Sequence, residues 1–260
     1  MRTLKLMLAV LATVLLTSCL EINEEVVINE NGSGQLTSSM DLSQLIDMLQ
    51  AMGGEEFEKR KDEKIDSTIN LKDITDTAKN MTAEQKELMR DGKMHIKMNM
   101  DEKVFKLDMQ YPFNNLERLQ KLTTAISDGG IGLGSMMKGA MQPKQPAGLD
   151  QPNIHNSDDP EMDQLMGIFD YNISNGLIKK TVNAEKLKKV LDNPKMAEMQ
   201  QGADMGIEVI YNVTYKLPRP VKKVDNPKAK ISDDKKTVTI RQNLMDIFTK
   251  SDQFAFTIEY

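Results

Sequence analysis

The chain has one cysteine, two histidines and no tryptophan in 260 residues. A lone cysteine excludes an intrachain disulfide and a cysteine-based zinc cluster, and His95 and His155 leave little for metal or nucleophilic chemistry. Basic runs are missing too. The 34 Lys and Arg are dispersed among 39 Asp and Glu for a net charge of −5, so nothing could neutralise a phosphate backbone, and nucleic acid is not an expected partner. No apolar run has the length of a membrane span. The longest, Leu6 to Leu16, would cover as a helix only about half of a hydrocarbon core of roughly 30 Å. What is present, 39% hydrophobic and 28% charged residues, is a composition able to bury a core in one large domain or two ordinary ones.

That apolar run is preceded by Arg2 and Lys5 and followed by Leu16-Thr17-Ser18-Cys19, the order of a signal peptide, which predicts that residues 1–18 are removed on export. The only cysteine stands straight after Leu-Thr-Ser. Here the chain resembles bacterial lipoproteins, whose lipobox is a Leu, two small residues and the lipidated Cys. The resemblance implies thioether diacylation of Cys19, cleavage before it and usually a third acyl chain on the new amino group. Several chains make such an attachment effectively permanent, because each buried CH₂ contributes about 0.8 kcal/mol. Without Arg2 and Lys5 the mature chain, residues 19–260, carries 32 basic and 39 acidic residues, so lipid and not charge would hold it to an anionic membrane. Leu20 is not the Asp that resembles an inner-membrane retention signal in enteric bacteria, which in such a host points to the outer membrane.

Downstream, the pattern repeats hairpin then helix. Glu21 to Asn29 and Gln35 to Met40 alternate around a turn at Asn31-Gly32, and Leu42, Leu45, Ile46, Leu49 and Met52 then recur at helical spacing up to Gly53-Gly54. A charged stretch from Glu55 to Lys64 leads to a short helix over Met81 to Arg90, capped by Thr82. Met94, Ile96, Met98 and Met100 share one strand face, and Phe105, Leu107, Met109 and Tyr111 share a face of the next, before an amphipathic helix from Leu116 to Ile126. A third unit runs from Ile168 through Asn175-Gly176 to Asn183 and a helix with Leu187, Val190 and Leu191. Ile207 to Leu217 is the longest strict alternation and predicts a central strand with one wet face. A strand pair around Asp233-Asp234, a short helix from Leu244 to Phe248 and a last strand through Phe256 and Ile258 complete the reading. The expected fold is α+β: a largely antiparallel sheet of hairpin-plus-helix units with helices packed on one face.

Residues 127–160 are rich in Gly, Met and Pro and carry no period, the mark of a linker or long functional loop. Two subdomains, 19–126 and 161–260, or one sheet spanning both, are each compatible with it. The lipidated Cys followed at once by a strand and Asn31-Gly32-Ser33-Gly34, together with Leu217-Pro218-Arg219-Pro220-Val221 after a late strand, is similar to LppM-type envelope lipoproteins of mycobacteria, but without their closing transmembrane helix. This similarity implies a fold more than an activity.

Candidate chemistry is thin. Met94-His95-Ile96-Lys97-Met98-Asn99-Met100 has the soft ligands that Cu(I) accepts, but on a strand the methionines share a face with Ile96 and read as core, with His95 on the surface. Gly129 to Ser135 lacks the strand, spacing and third Gly of a dinucleotide loop. Its apolar neighbours Ile131, Leu133, Met136, Met137 and Met141 form a candidate contact surface for an envelope protein or lipid. Asp158, Asp159, Glu161 and Asp163 lack calcium-loop spacing, and no metal or other cofactor is expected. Asp66-Ser67-Thr68 and Asp76-Thr77-Ala78 resemble the short O-glycosylation signal of exported Bacteroidetes proteins, at Ser67 and Thr77. The reading is an envelope lipoprotein, joined to the membrane through Cys19, whose domain binds or scaffolds and is not an enzyme. The alternative is a carboxylate-based hydrolase acting on envelope polymer, which would need two converging acidic side chains. Oligomeric state is not legible.

Overall fold

A computed structural model describes residues 19–44, 46, 62–76, 81–127, 165–194, 196, 200–201 and 208–260. The signal sequence, the larger part of the helix expected after Leu42, and the contact surface at Ile131, Leu133, Met136, Met137 and Met141 lie outside the described residues, as do His155 and Thr77. Twelve strands and four α-helices are present among the described residues: β1 Cys19–Ile28, β2 Gly34–Asp41, β3 Lys64–Asn70, α1 Leu71–Thr75, α2 Ala83–Met89, β4 Lys93–Asn99, β5 Val104–Phe113, α3 Leu116–Ser127, β6 Phe169–Ser174, β7 Leu177–Val182, α4 Ala184–Leu191, β8 Glu208–Lys216, β9 Lys223–Val224, β10 Ala229–Ile231, β11 Thr237–Asn243 and β12 Phe256–Glu259. Two 3-10 turns, Leu244–Phe248 and Ser251–Phe254, separate the last two strands.

Eight strands form one sheet in the order β10-β11-β8-β1-β2-β5-β4-β3, and four form a second in the order β6-β7-β12-β9. The fold is therefore the expected α+β class with a large, mostly antiparallel sheet. One pairing in it is parallel, β1 with β8, in a register that sets Cys19 beside Glu208 and Val27 beside Lys216. Through it, strands from both sides of the long Gly, Met and Pro-rich stretch join a single sheet. As its alternation predicts, β8 lies inside the sheet, with Tyr211, Val213 and Tyr215 buried and the intervening Asn212 and Thr214 on the opposite face.

A second layer covers the inner face of the large sheet. It runs from α1 and α2 through α3 to the small sheet. The Gln120 side-chain oxygen of α3 accepts the Ile173 N–H of edge strand β6 at 2.9 Å. Between the sheets, Tyr215 meets Phe256 edge to face at 5.8 Å, and Phe169 stacks on Phe254 at 5.9 Å. Thr82 and Gln85 close a capping box at the start of α2, and Arg118 donates from its guanidinium to the Glu87 and Leu88 carbonyls at the other end, fixing α2 to α3. Met94, Met98 and Met100 are buried at 1%, 5% and 6% exposure, which places them in the core, and His95 is on the outer face 2.9 Å from Asp66.

Two elements differ from the sequence reading. β3 follows directly from the charged stretch, and β9 occupies only two residues. β3 holds just two apolar residues, Ile65 and Ile69, because it pairs on one side only, with β4, and lies mostly exposed at the sheet edge. Its weak pattern follows from that position. The Asp66-Ser67-Thr68 tripeptide is on this exposed edge.

Candidate functional site

Two turns in the left-handed region build one end of the molecule. Gly32, at φ +80°, closes the β1–β2 hairpin, while the Asn31 side-chain oxygen accepts the Ser33 N–H at 3.0 Å and the Ser33 hydroxyl at 2.7 Å. Gly176, at φ +87°, closes the β6–β7 hairpin next to Asn175. Asn115 accepts the Arg118 N–H at 2.8 Å and starts α3. Beyond β8, Pro218 and Pro220 restrict the backbone on either side of Arg219.

These separate junctions converge on a half-open cleft of about 580 Å³, a volume suited to a small ligand. Asn29, Glu30 and Asn31 form one wall, Asn115 and Leu116 a second, and Asn175, Arg219 and Tyr260 a third. The Arg219 guanidinium donates to the Asn175 side-chain oxygen, and its carbon lies 5.4 Å from the centre of the Tyr260 ring. Neither Arg219 nor Glu30 has an ion-pair partner among the described residues, although both line the same cleft. Glu30 is the one acidic side chain among the described lining residues.

A different polar cluster lies between the sheets. Lys180 of β7 is 1% exposed, and its ammonium has no hydrogen-bond partner. The nitrogen lies 3.7 Å from the ring centre of Phe169, 4.9 Å from that of Tyr211 and 5.8 Å from that of Tyr171. Tyr211 donates its hydroxyl to Glu24 at 2.8 Å. Burial pushes Lys180 down to about 8, against the opposing charge of Glu24, and burial also raises the Glu24 carboxyl and the hydroxyls of Tyr171, Tyr211 and Tyr215.

This cluster predicts an unusual stability profile. Between about pH 8 and the ordinary lysine value the unfolded chain holds a proton on residue 180 that the folded chain has released, so stability rises with pH, by at most about 1.4 kcal/mol per unit. Above about pH 10 the raised tyrosines reverse the trend, because the unfolded chain then loses protons that the folded chain keeps. Denaturant melts from pH 7.5 to 9, below the range in which the tyrosines titrate, should show the rise in the wild type and a flat profile in Lys180→Met. A flat wild-type profile would mean that the ring contacts offset the desolvation of the ammonium.

Of the residues singled out from sequence, Cys19 is the first residue of β1, in register with Glu208 and at the end of the strand opposite the cleft. Ten residues of strand at about 3.3 Å each separate that end from the cleft by roughly 30 Å. The cleft residues went unread as a site because each sits at a different junction, where Asn and Gly signal only a turn. Lys180 left a faint signal: it alternates in phase with Ile178 and Val182. Among the described residues no group of three or more His, Cys, Asp or Glu is placed to hold a metal ion, and no helix is long and apolar enough to cross a membrane. Comparison with family models, with curated proteins and with solved structures gave no match to this chain.

Proposed function

We propose that the chain is an exported lipoprotein of the bacterial cell envelope, anchored in the membrane through Cys19, and that its two-layer domain is a binding module whose ligand enters the cleft around Arg219. The observation that carries the binding role is the convergence of four asparagines, an unpaired arginine and an unpaired glutamate from separate elements on one concavity. Unpaired charges of opposite sign in one cleft are groups held ready for a partner. The anchor rests on the lipobox-like Leu16-Thr17-Ser18-Cys19, and Leu20 favours the outer membrane in an enteric-type host.

The anchor and the cleft support each other geometrically. β1 starts at Cys19 itself, so a lipid on that residue leaves no slack between bilayer and sheet, and the cleft stands about 30 Å away at the far end of the same strand. Such a module faces a polar ligand beyond the membrane surface. The alternative reading, hydrolysis by two carboxylates, would call for a second acidic side chain converging on Glu30.

Amide resonances titrated with solubilised envelope polymer test this. The expected shifts are confined to 29–33, 115–116, 175–176 and 219. Shifts on the outer face of the large sheet, around Asn212 and Thr239, would overturn the assignment of the cleft.

A further inference from the structure

Resting on the cleft as the binding site, we infer that its ligand is a sugar unit carrying a single oxyanion, a carboxylate or a phosphate. The groups that line it present three kinds of unmet demand. Arg219 spends one of its N–H groups on Asn175 and lies on Tyr260, which orients the planar fork and leaves its other donors open to an oxyanion in bidentate geometry. Glu30 is an acceptor without a cation among the described residues, suited to a pair of hydroxyl donors. The amides of Asn31 and Asn175 have their oxygens engaged by Ser33 and Arg219, and their NH₂ groups are left to donate.

Simpler ligands satisfy only part of this set. A bare phosphate or sulfate would meet Arg219 but be repelled by Glu30. A neutral sugar would leave the guanidinium unanswered, and it would find the Tyr260 face already covered by Arg219. A peptide carboxyl terminus would meet Arg219, but the asparagines come from three unrelated junctions and not from a strand edge with the two-residue period that a peptide backbone follows. One oxyanion on a polyhydroxylated body answers all three groups.

The test uses the purified protein and five probes: a glucuronate-containing tetrasaccharide, the same tetrasaccharide with its carboxyls reduced to alcohols, a hexose phosphate, inorganic phosphate and an N-acetylated tripeptide with a free carboxylate. Binding is read by calorimetry and located by amide shifts. The acidic tetrasaccharide or the hexose phosphate should bind at least about tenfold more tightly than the reduced tetrasaccharide and inorganic phosphate, the margin of one charge-assisted pair. Arg219→Gln should abolish that margin, Arg219→Lys should restore part of it, and Glu30→Gln should weaken every sugar probe. Equal affinity for the acidic and reduced sugars, or no binding by any sugar, overturns the inference. Tripeptide binding in the cleft in place of sugar overturns the ligand class and leaves the cleft intact. Sugar binding with shifts confined to the outer sheet face overturns the reading of the cleft itself.

Discussion

Cys19→Ser should move the protein quantitatively from the membrane pellet to the soluble fraction and abolish labelling by radioactive palmitate. Anchoring by two or three acyl chains is effectively irreversible, since each buried CH₂ contributes about 0.8 kcal/mol, and serine cannot carry the thioether. No described helix is long and apolar enough to span a bilayer. The acidic excess of the mature chain works against adsorption to anionic lipid. The fold should survive the change, because residue 19 is only the first rung of the β1–β8 ladder, which continues to Val27. A variant that stays in the pellet after a carbonate wash, with unchanged yield, would sink the lipoprotein assignment.

Gly34→Val should unfold the protein or lower its melting temperature by about 10 °C or more. Gly34 opens β2, pairs with Ile28 on one side and with Phe113 on the other, and is enclosed by both. A Cβ there would collide with the Val27 carbonyl oxygen and lie 2.5 Å from the Phe113 ring. The oxygen belongs to the backbone of a paired strand, so relief requires breaking the ladder between β1 and β2, in the middle of the large sheet. Overpacking against immovable neighbours costs upwards of about 3 kcal/mol. Total stabilities are usually about 5–15 kcal/mol, and each kcal/mol shifts the melting temperature of a chain this size by about 2–4 °C. Gly32→Ala differs in kind: its φ of +80° is disfavoured for alanine, but the nearest atom, Leu116 Cγ, lies 3.7 Å away, so the cost should be about 1 kcal/mol. A Gly34→Val protein melting within about 3 °C of the wild type would show that the hairpin shifts freely.

The hairpins were legible because alternation and Asn-Gly turns are local signals. β1 with β2, β4 with β5 and β6 with β7 each pair across a short connection, and burial of one face writes the period of two into the residues. β3 was illegible for the converse reason, since an edge strand with one partner and little burial imposes no pattern. The β1–β8 pairing joins residues almost two hundred apart, and nothing in either strand's own residues names the other. The same holds for the cleft. Asn31, Asn115 and Asn175 each have a sufficient local reason to exist, at a turn or a helix start, so their convergence leaves no mark at any single position.

What the sequence determined by itself was the class of fold. The proposed export and lipidation signal rests on the linear order of the apolar run and the single Cys19, whereas the α+β alternation follows from which residues must face a core. Tertiary structure alone decided that strands from both sides of residues 127–160 share one sheet, that Lys180 is sealed among aromatic rings, and that Arg219 and Glu30 line one cleft without pairing. The physical reason is range. Turn chemistry and strand period act over two to four residues, whereas the position of a charge relative to a distant one depends on how whole layers stack, a free energy summed over the entire core and assigned to no residue of either partner.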